Sequence, residues 1–221
     1  PGTAASSASA PKKVLRVSYR SSETSFDPAK ISDLYSRDTT QHIFEAPYRF
    51  DPLARPAVVR PLTADGMPVG SPDFKTWTVK IRPGIYFAND PAFKGRKREL
   101  TAQDYVYAYL RVIDPATKSP SWGGLEANGF LGVVEARKAA IASKQPFNYD
   151  QTVEGIRALD RYTLQFKFKD PQPRFAEGMT DSSTLGAQAR EVVEFYGDKV
   201  DAHPVGTGPF RLKQWRRNSL I

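Results

Sequence analysis

The sequence of 221 residues is 40% hydrophobic and 12% aromatic, which is enough to bury a core in one or two structural units. It has no cysteine, which excludes disulfides, thiolate nucleophiles and cysteine-ligated metals, and no apolar run approaches the roughly 18 residues of a membrane-spanning helix. The net charge of +8 raises the question of nucleic acid, but positive charge is concentrated only at residues 94–98 and 211–217, outside any recognisable nucleic-acid motif, so no nucleic-acid partner is predicted.

The first part of the chain combines a polar start with one strand pattern. Residues 1–13 are predicted to form a flexible linker, because their composition is typical of the segment behind a processed export signal. Leu15, Val17 and Tyr19 alternate with polar residues, which predicts a half-buried strand. Turns are predicted at five Asp-Pro pairs, because proline restricts the residue before it; these begin at Asp27, Asp51, Asp90, Asp114 and Asp170.

The middle of the chain predicts a hairpin followed by a helix. Residues 77–81 alternate in hydrophobicity, and a turn at residues 82–84 then leads into a second apolar stretch at residues 85–87. Thr101 and Asp104 have the spacing of a capping box, and an apolar face follows them. We therefore expect a helix that begins at Thr101 and ends before Asp114-Pro115.

The last part of the chain predicts two further helices and a strand. One helix includes residues 133–141, and another covers residues 185–196. Residues 162–168 alternate most regularly and predict a strand. Breaks in the pattern near residues 46–47 and 159–161 indicate an inserted unit, so the residues by themselves predict an α/β or α+β fold that is compatible with many functions.

Four blocks of sequence, in this order, resemble the extracellular solute-binding proteins of family 5, which include oligopeptide- and dipeptide-binding proteins of bacteria. A single block is weak evidence, but the collinear order makes a chance resemblance improbable. The blocks are residues 15–30 (LRVSYRSSETSFDPAK) with 43–47 (IFEAP), 77–87 (WTVKIRPGIYF) with 100–115 (LTAQDYVYAYLRVIDP), 156–173 (IRALDRYTLQFKFKDPQP), and 204–215 (PVGTGPFRLKQW). Residues 88–98 depart from the family pattern, because this loop is longer and basic.

The resemblance implies an α/β (mixed α+β) fold of the type II periplasmic binding protein kind. Residues 14–46 and 161–221 would form part of the first lobe, and residues 47–160 would form an inserted β-rich subdomain. Family members are much longer than this chain. We therefore expect an N-terminal fragment whose second lobe is missing.

The function implied by the resemblance is that of the substrate-binding component of an ABC importer. Such a protein captures peptides or related small solutes in the periplasm and delivers them to a membrane permease. It would be exported, with or without a membrane anchor, and would act as a monomer without a cofactor. The alternative is a stand-alone protein-interaction module that retains part of the receptor fold, and a coding sequence that continues past Ile221 would favour the receptor.

The resemblance also places two groups of ligand-binding residues. Ser32, Asp33, Leu34 and Tyr35 lie in a stretch similar to one whose backbone faces the ligand, although simple packing at a helix start is the alternative for Leu34 and Tyr35. Trp122 and Gly123 follow the capped helix, where the family places an aromatic contact. Burial of Trp122 in the core is the alternative there.

Enzyme functions find little support in the residues. His42 and His203 are the only histidines, and neither accompanies a nucleophile-elbow motif or a metal-ligand spacing. The GTGP sequence at residues 206–209 lacks the Gly-Lys-Ser/Thr of a phosphate-binding loop. Its glycines are instead expected to turn the chain into a strand at residues 210–212. No catalytic and no metal-binding residue is predicted, so the chain is not expected to be an enzyme.

Overall fold

A computed structural model describes residues 13–217 and 219–221. The predicted linker at residues 1–13 lies outside the described residues, except for Lys13. The strands of the described residues are β1 (Tyr48–Phe50), β2 (Val59–Pro61), β3 (Val69–Gly70), β4 (Thr76–Lys80), β5 (Ile156–Asp160) and β6 (Thr163–Lys167). The helices are α1 (Leu34–Thr40), α2 (Ala102–Ile113), α3 (Trp122–Ala127), α4 (Val133–Ser143), α5 (Phe175–Gly178), α6 (Ser182–Leu185) and α7 (Arg190–Tyr196), and short 3-10 helices cover Pro91–Phe93, Pro115–Thr117 and Gly197–Ala202.

The main sheet has four antiparallel strands in the order β3-β4-β6-β5. The predicted strand at residues 162–168 is confirmed as β6, which lies in the interior of this sheet. Its alternation puts Leu164 and Phe166 in the core, where Phe166 packs 5.7 Å from the ring of Tyr109 on α2. A second sheet consists of the antiparallel pair β1-β2. None of the helices in the described part of the chain has the length and apolar character needed to cross a bilayer.

The strand predicted at residues 77–81 is confirmed as β4, but the hairpin with residues 85–87 is wrong. β3 and β6 occupy the two edges of β4, so no edge remains for residues 85–87. Gly84, at φ +81°, turns the chain away from the sheet instead. Residues 85–87 then pair with residues 98–100, where Leu100 N–H donates to the Ile85 carbonyl at 2.8 Å.

The strand predicted at residues 15–19 is also wrong. Residues 13–19 have no regular secondary structure, and their side chains are exposed, with Leu15 at 88%. Alternation describes the two faces of a strand but does not supply a neighbour, and no strand of the described residues pairs with this segment. The apolar pattern is therefore present without the sheet that it predicts.

Helix α2 begins where the sequence predicts it, and Asp104 holds its first turn. The Asp104 carboxylate accepts hydrogen bonds from the Thr101 N–H at 2.7 Å and from the Thr101 hydroxyl at 2.9 Å. It also accepts one from Arg98 at 2.6 Å. These bonds satisfy donors that a helix N-terminus otherwise leaves unpaired.

Helix α4 confirms the prediction for residues 133–141, whereas the helix predicted at residues 185–196 is confirmed only over its second half, as α7. The chain leaves α6 at Gly186 (φ −60°, ψ 154°) and enters α7 at Arg190. Between them, Ala187 N–H donates to the Glu45 carbonyl at 3.1 Å. The backbone thus bonds to a distant segment rather than to the preceding helical turn.

Turns at Asp-Pro pairs have a common physical basis in the structure. The carboxylates of Asp27, Asp51, Asp90 and Asp114 each accept the backbone N–H two residues later, at 2.8–3.1 Å. Such local side-chain bonds favour a turn over regular structure. The turns predicted at these four pairs are confirmed.

The division into a first-lobe unit and an inserted subdomain at residues 47–160 stays a prediction. The sheet adds one constraint to it. β6 belongs to the segment after residue 160, yet it is hydrogen-bonded to β4 and β5, which lie before that residue. A domain boundary at residues 160–161 would therefore separate β5 from β6, although the two strands are hydrogen-bonded to each other.

Thr101→Ala should lower the free energy of unfolding by about 1 kcal/mol, because the variant loses the hydroxyl that bonds to Asp104 at the N-cap. Urea denaturation measures the change. Thr152→Ala is the matched control, since Thr152 is exposed and should change stability by less than about 0.5 kcal/mol. Equal stability of both variants would mean that Asp104 and the backbone alone hold the N-terminus of α2.

Candidate functional site

Asp33, in the first predicted ligand-binding group, is the N-cap of α1. Its carboxylate accepts the Ser36 N–H at 2.8 Å and the Thr24 hydroxyl. Burial acts to raise the pKa of Asp33, but these hydrogen bonds outweigh it and hold the pKa below its ordinary value. Asp33 is therefore ionised at neutral pH, and its oxygens are already bonded within the chain.

The neighbours of Asp33 present their side chains outward. Ser32 is exposed, and Leu34 is 64% exposed, so packing of Leu34 at the helix start is not what the structure has. Tyr35 is half-buried and packs against Tyr19, with 4.9 Å between the ring centroids. Leu34 and the Tyr19–Tyr35 ring pair thus place apolar side chains at the start of α1, next to the exposed Ser32.

Tyr19 is one of these apolar residues, and the sequence analysis did not select it. Its hydroxyl is 3.3 Å from the Thr39 hydroxyl, which lies one turn after Tyr35 on α1. Tyr19 belongs to the alternating residues 15–19, and this alternation predicts a strand rather than a contact with a helix. A strand pattern cannot show that Tyr19 packs on a helix, because the two residues of the ring pair are far apart in the chain.

Trp122 is the first residue of α3 and is half-buried against the core. The Arg137 guanidinium lies 4.5 Å from the centre of its indole ring, at cation–π distance. Arg137 also donates to the Ile113 carbonyl at 2.9 Å, which ties α4 to the end of α2. Gly123 is exposed, and a Cβ there would contact nothing within 4 Å.

The two predicted groups lie on different helices. α1 packs against α6, whereas α3 packs against α2. α2 also packs against α6, so α6 and α2 together connect the helices of the two groups. Their role in ligand binding stays a prediction.

A buried ion pair fixes the loop that leads into the first group. Arg111 on α2 donates to the two carboxylate oxygens of Asp27 at 2.5 and 2.8 Å, and to the Gln188 side-chain oxygen at 2.7 Å. Asp27 is fully buried and Arg111 is almost so. A bidentate pair of this kind sets both distance and orientation, so the Asp-Pro loop before residues 31–35 is held against α2.

The GTGP segment closes onto the backbone of residues 42–44. Gly208 N–H donates to the Ile43 carbonyl at 2.8 Å, and the Thr207 hydroxyl donates to Glu45 at 2.7 Å. A Cβ on Gly206 would overlap the Ile43 carbonyl. The structure has no strand at the predicted residues 210–212. The glycines instead allow the GTGP backbone to lie close to the backbone of residues 42–44.

Both histidines pack against aromatic rings. His42 contacts Phe210 at 5.7 Å between centroids, and His203 stacks on Tyr196 at 4.0 Å. Within residues 13–217 and 219–221, no group of His, Asp and Glu side chains has a geometry that could hold a metal ion. The histidines thus have packing partners of their own.

Comparison with known proteins identifies the family. Residues 58–221 match the group described as bacterial extracellular solute-binding proteins, family 5 middle. The periplasmic oligopeptide-binding protein OppA of Salmonella typhimurium is 28% identical over 96% of this chain and 36% of the relative. A di/tripeptide-binding protein of Pseudomonas aeruginosa is 26% identical over 95% of this chain and 37% of the relative. The chain thus spans just over a third of the length of these relatives.

A solved structure supports the same relationship. Haemophilus influenzae OppA, in complex with the peptide RPPGFSPFR, superposes with a TM-score of 0.71 at 26% identity, covering 90% of this chain and 35% of that protein. The family resemblance and the mixed α/β solute-binding fold predicted from the sequence are confirmed. The coverage of about a third of the relative is consistent with part of a lobe-based fold.

Proposed function

We propose a peptide-capturing function for this chain, which belongs to the bacterial extracellular solute-binding proteins of family 5. It would serve as part of the substrate-binding component of an ABC importer. The observation that carries the proposal is the match to relatives named for oligopeptide and di/tripeptide binding over nearly the whole chain. These relatives favour capture of a small solute over the alternative of a protein-interaction module.

In the proposed mechanism, an extended peptide lies along the surface formed by Tyr19, Leu34 and Tyr35, with Trp122 as a second apolar wall. The backbone of the exposed residue Ser32 would bond to the peptide main chain, which gives affinity without demanding one sequence. A second lobe would cover the other side of the peptide by hinge closure. Asp33 would position α1 rather than bind the peptide amino group, because its oxygens accept bonds from Ser36 and Thr24.

The names of the relatives also bear on the cellular location and the partner of this chain. The Salmonella relative is described as a periplasmic oligopeptide-binding protein, which supports a periplasmic location for this chain. The partner would be the permease of the importer, and the protein would act as a monomer. Binding proteins of this kind deliver their ligand unchanged, so we propose no catalytic activity.

Calorimetry against a mixture of short peptides tests the proposal. The 221 residues alone should bind weakly, and the product of the complete gene should bind on the order of 100-fold more tightly. The reason is that one lobe leaves half of the peptide in water, and only the closed pair of lobes offsets the entropy cost of binding. Mass spectrometry of molecules that copurify with the complete gene product identifies the ligand.

Two leucines provide a matched control for the binding surface. Leu34→Ala in the complete gene product should weaken peptide binding by about fivefold, a typical effect of truncating an apolar contact residue. Leu53→Ala should leave it unchanged, because Leu53 is also exposed but lies outside the proposed surface. Equal, tight binding by the 221 residues alone would contradict the two-lobe mechanism, and equal effects of the two substitutions would contradict the proposed surface.

A further inference from the structure

The basic loop at residues 88–98, which departs from the family pattern, is held in place by hydrogen bonds and by a buried aromatic side chain. Asp90 accepts the Ala92 N–H at 2.9 Å and the Tyr196 hydroxyl at 3.0 Å, which joins the loop to α7. Phe93 is buried and packs on Phe87. Asp90 and Phe93 thus attach the loop to α7 and to the core, which fixes the backbone that carries its charged residues.

Three cations on this loop remain without an ionic partner. Arg98 is paired with Asp104 and Glu191, and the nearby Glu194 is paired with Arg190. Lys94, Arg96 and Lys97 are exposed, and none of them forms an ion pair with any carboxylate among the described residues. The local field is therefore positive and faces solvent.

Two exposed aromatic rings flank these cations. Phe195 on α7 is 57% exposed and lines the same open depression as Lys94 and Arg96. Tyr86 is 47% exposed, and the Lys97 ammonium lies 6.0 Å from its ring centre. Exposed rings beside unpaired cations form a surface that suits a partner with both anionic and apolar groups.

We propose that Lys94, Arg96, Lys97, Tyr86 and Phe195, together the basic loop surface, bind the surface of an anionic phospholipid bilayer. The headgroup region offers phosphates to long cationic side chains and, at the same depth, a favourable environment for aromatic rings. The headgroup region does not require a fixed geometry from each cationic side chain. An acidic protein would also satisfy the cations, but its carboxylates would have to match the fixed positions of all three side chains.

This binding would act apart from peptide capture. It would orient the basic loop surface toward the membrane and raise the concentration of the protein at the bilayer, where a permease resides. Because the attraction depends on charge at an aqueous surface, salt should weaken it steeply.

Cosedimentation with lipid vesicles tests the proposal on the 221-residue chain. The protein should bind vesicles of phosphatidylcholine mixed with phosphatidylglycerol but not vesicles of phosphatidylcholine alone. The triple variant K94Q/R96Q/K97Q should bind the anionic vesicles about 100-fold more weakly, since each cation near such a surface contributes about fivefold. Phe195→Ser should reduce binding by about fivefold, because the ring no longer enters the headgroup region.

A second triple variant, K118Q/K138Q/K144Q, removes the same charge from exposed lysines elsewhere on the chain. It should bind the anionic vesicles almost as well as the unchanged protein. An equal loss in both triple variants would overturn the proposal in favour of a net-charge effect. If the unchanged protein fails to bind anionic vesicles but is retained on immobilised polyglutamate, the proposal is overturned in favour of an acidic protein partner. If Phe195→Ser binds the vesicles as well as the unchanged protein, Phe195 has no part in the binding.

Discussion

Arg111→Met should lower the free energy of unfolding by about 3–5 kcal/mol, because it leaves the Asp27 carboxylate buried without its cation. Removal of Arg111 takes away two charge-assisted bonds to Asp27 and one bond to Gln188. Water cannot replace them, since Asp27 is fully buried. The loss should be visible as a lower midpoint in urea denaturation.

Arg111→Met should also weaken peptide binding at the proposed surface. The Asp-Pro loop at Asp27 leads directly into residues 31–35, and its carboxylate also accepts the Ala29 N–H at 3.1 Å. Without Arg111, this loop loses its attachment to α2. The complete gene product with Arg111→Met should therefore bind peptides more weakly even at temperatures where it remains folded.

Two controls separate the buried pair from a general effect of charge removal. Arg174→Met removes an arginine that is paired with Glu177 on the surface, where the side chain is 81% exposed, and should cost less than about 1 kcal/mol. Adding Asp27→Asn to Arg111→Met should recover part of the stability, because the unpaired buried carboxylate is then gone. A loss for Arg111→Met no larger than that for Arg174→Met would show that the pair does not stabilise the fold.

Gly206→Ala should destabilise the chain by about 3 kcal/mol, because the new Cβ would overlap the carbonyl oxygen of Ile43. The obstacle is backbone rather than a flexible side chain, so the GTGP segment must move away from residues 42–44. That movement would stretch the bond from Gly208 N–H to the Ile43 carbonyl and the bond from Thr207 to Glu45. Urea denaturation measures the loss.

Gly124→Ala is the matched control for this substitution. Gly124 lies in α3, is exposed, and has no atom within 4 Å of the position of a Cβ. Alanine is favoured over glycine within a helix, so this variant should gain about 0.5–1 kcal/mol. If Gly206→Ala proved as stable as the unchanged chain, the close contact between the GTGP segment and residues 42–44 would be refuted.

Elements whose determinants lie within a few residues could be predicted from the sequence. The cap at Thr101 and Asp104, the apolar face of α2 and the alternation of β6 all depend on neighbours in the chain. The Asp-Pro turns belong to the same class, since the aspartate bonds to the N–H two residues later. The order of four motif blocks further predicted the family, and with it the fold.

The role of the predicted site residues in ligand binding stays a prediction, and the sequence revealed only part of their surroundings. The resemblance selected Leu34 and Tyr35, and the structure presents both on the surface at the start of α1. It did not select Tyr19, whose ring pairs with Tyr35 from a separate segment. It also did not select Arg137, which lies over Trp122 from another helix.

The sequence by itself therefore determined the local elements and the family, whereas tertiary structure decided which partners they meet. β4 has both edges occupied, so residues 85–87 pair elsewhere, and residues 15–19 have a strand pattern but no neighbouring strand in the described part of the chain. The ion pair of Arg111 with Asp27 and the contact of Gly206 with Ile43 each join distant segments. The physical reason is that hydrophobic period and capping act over one or two turns, while pairing, burial and close backbone approach depend on residues that only the folded chain brings together.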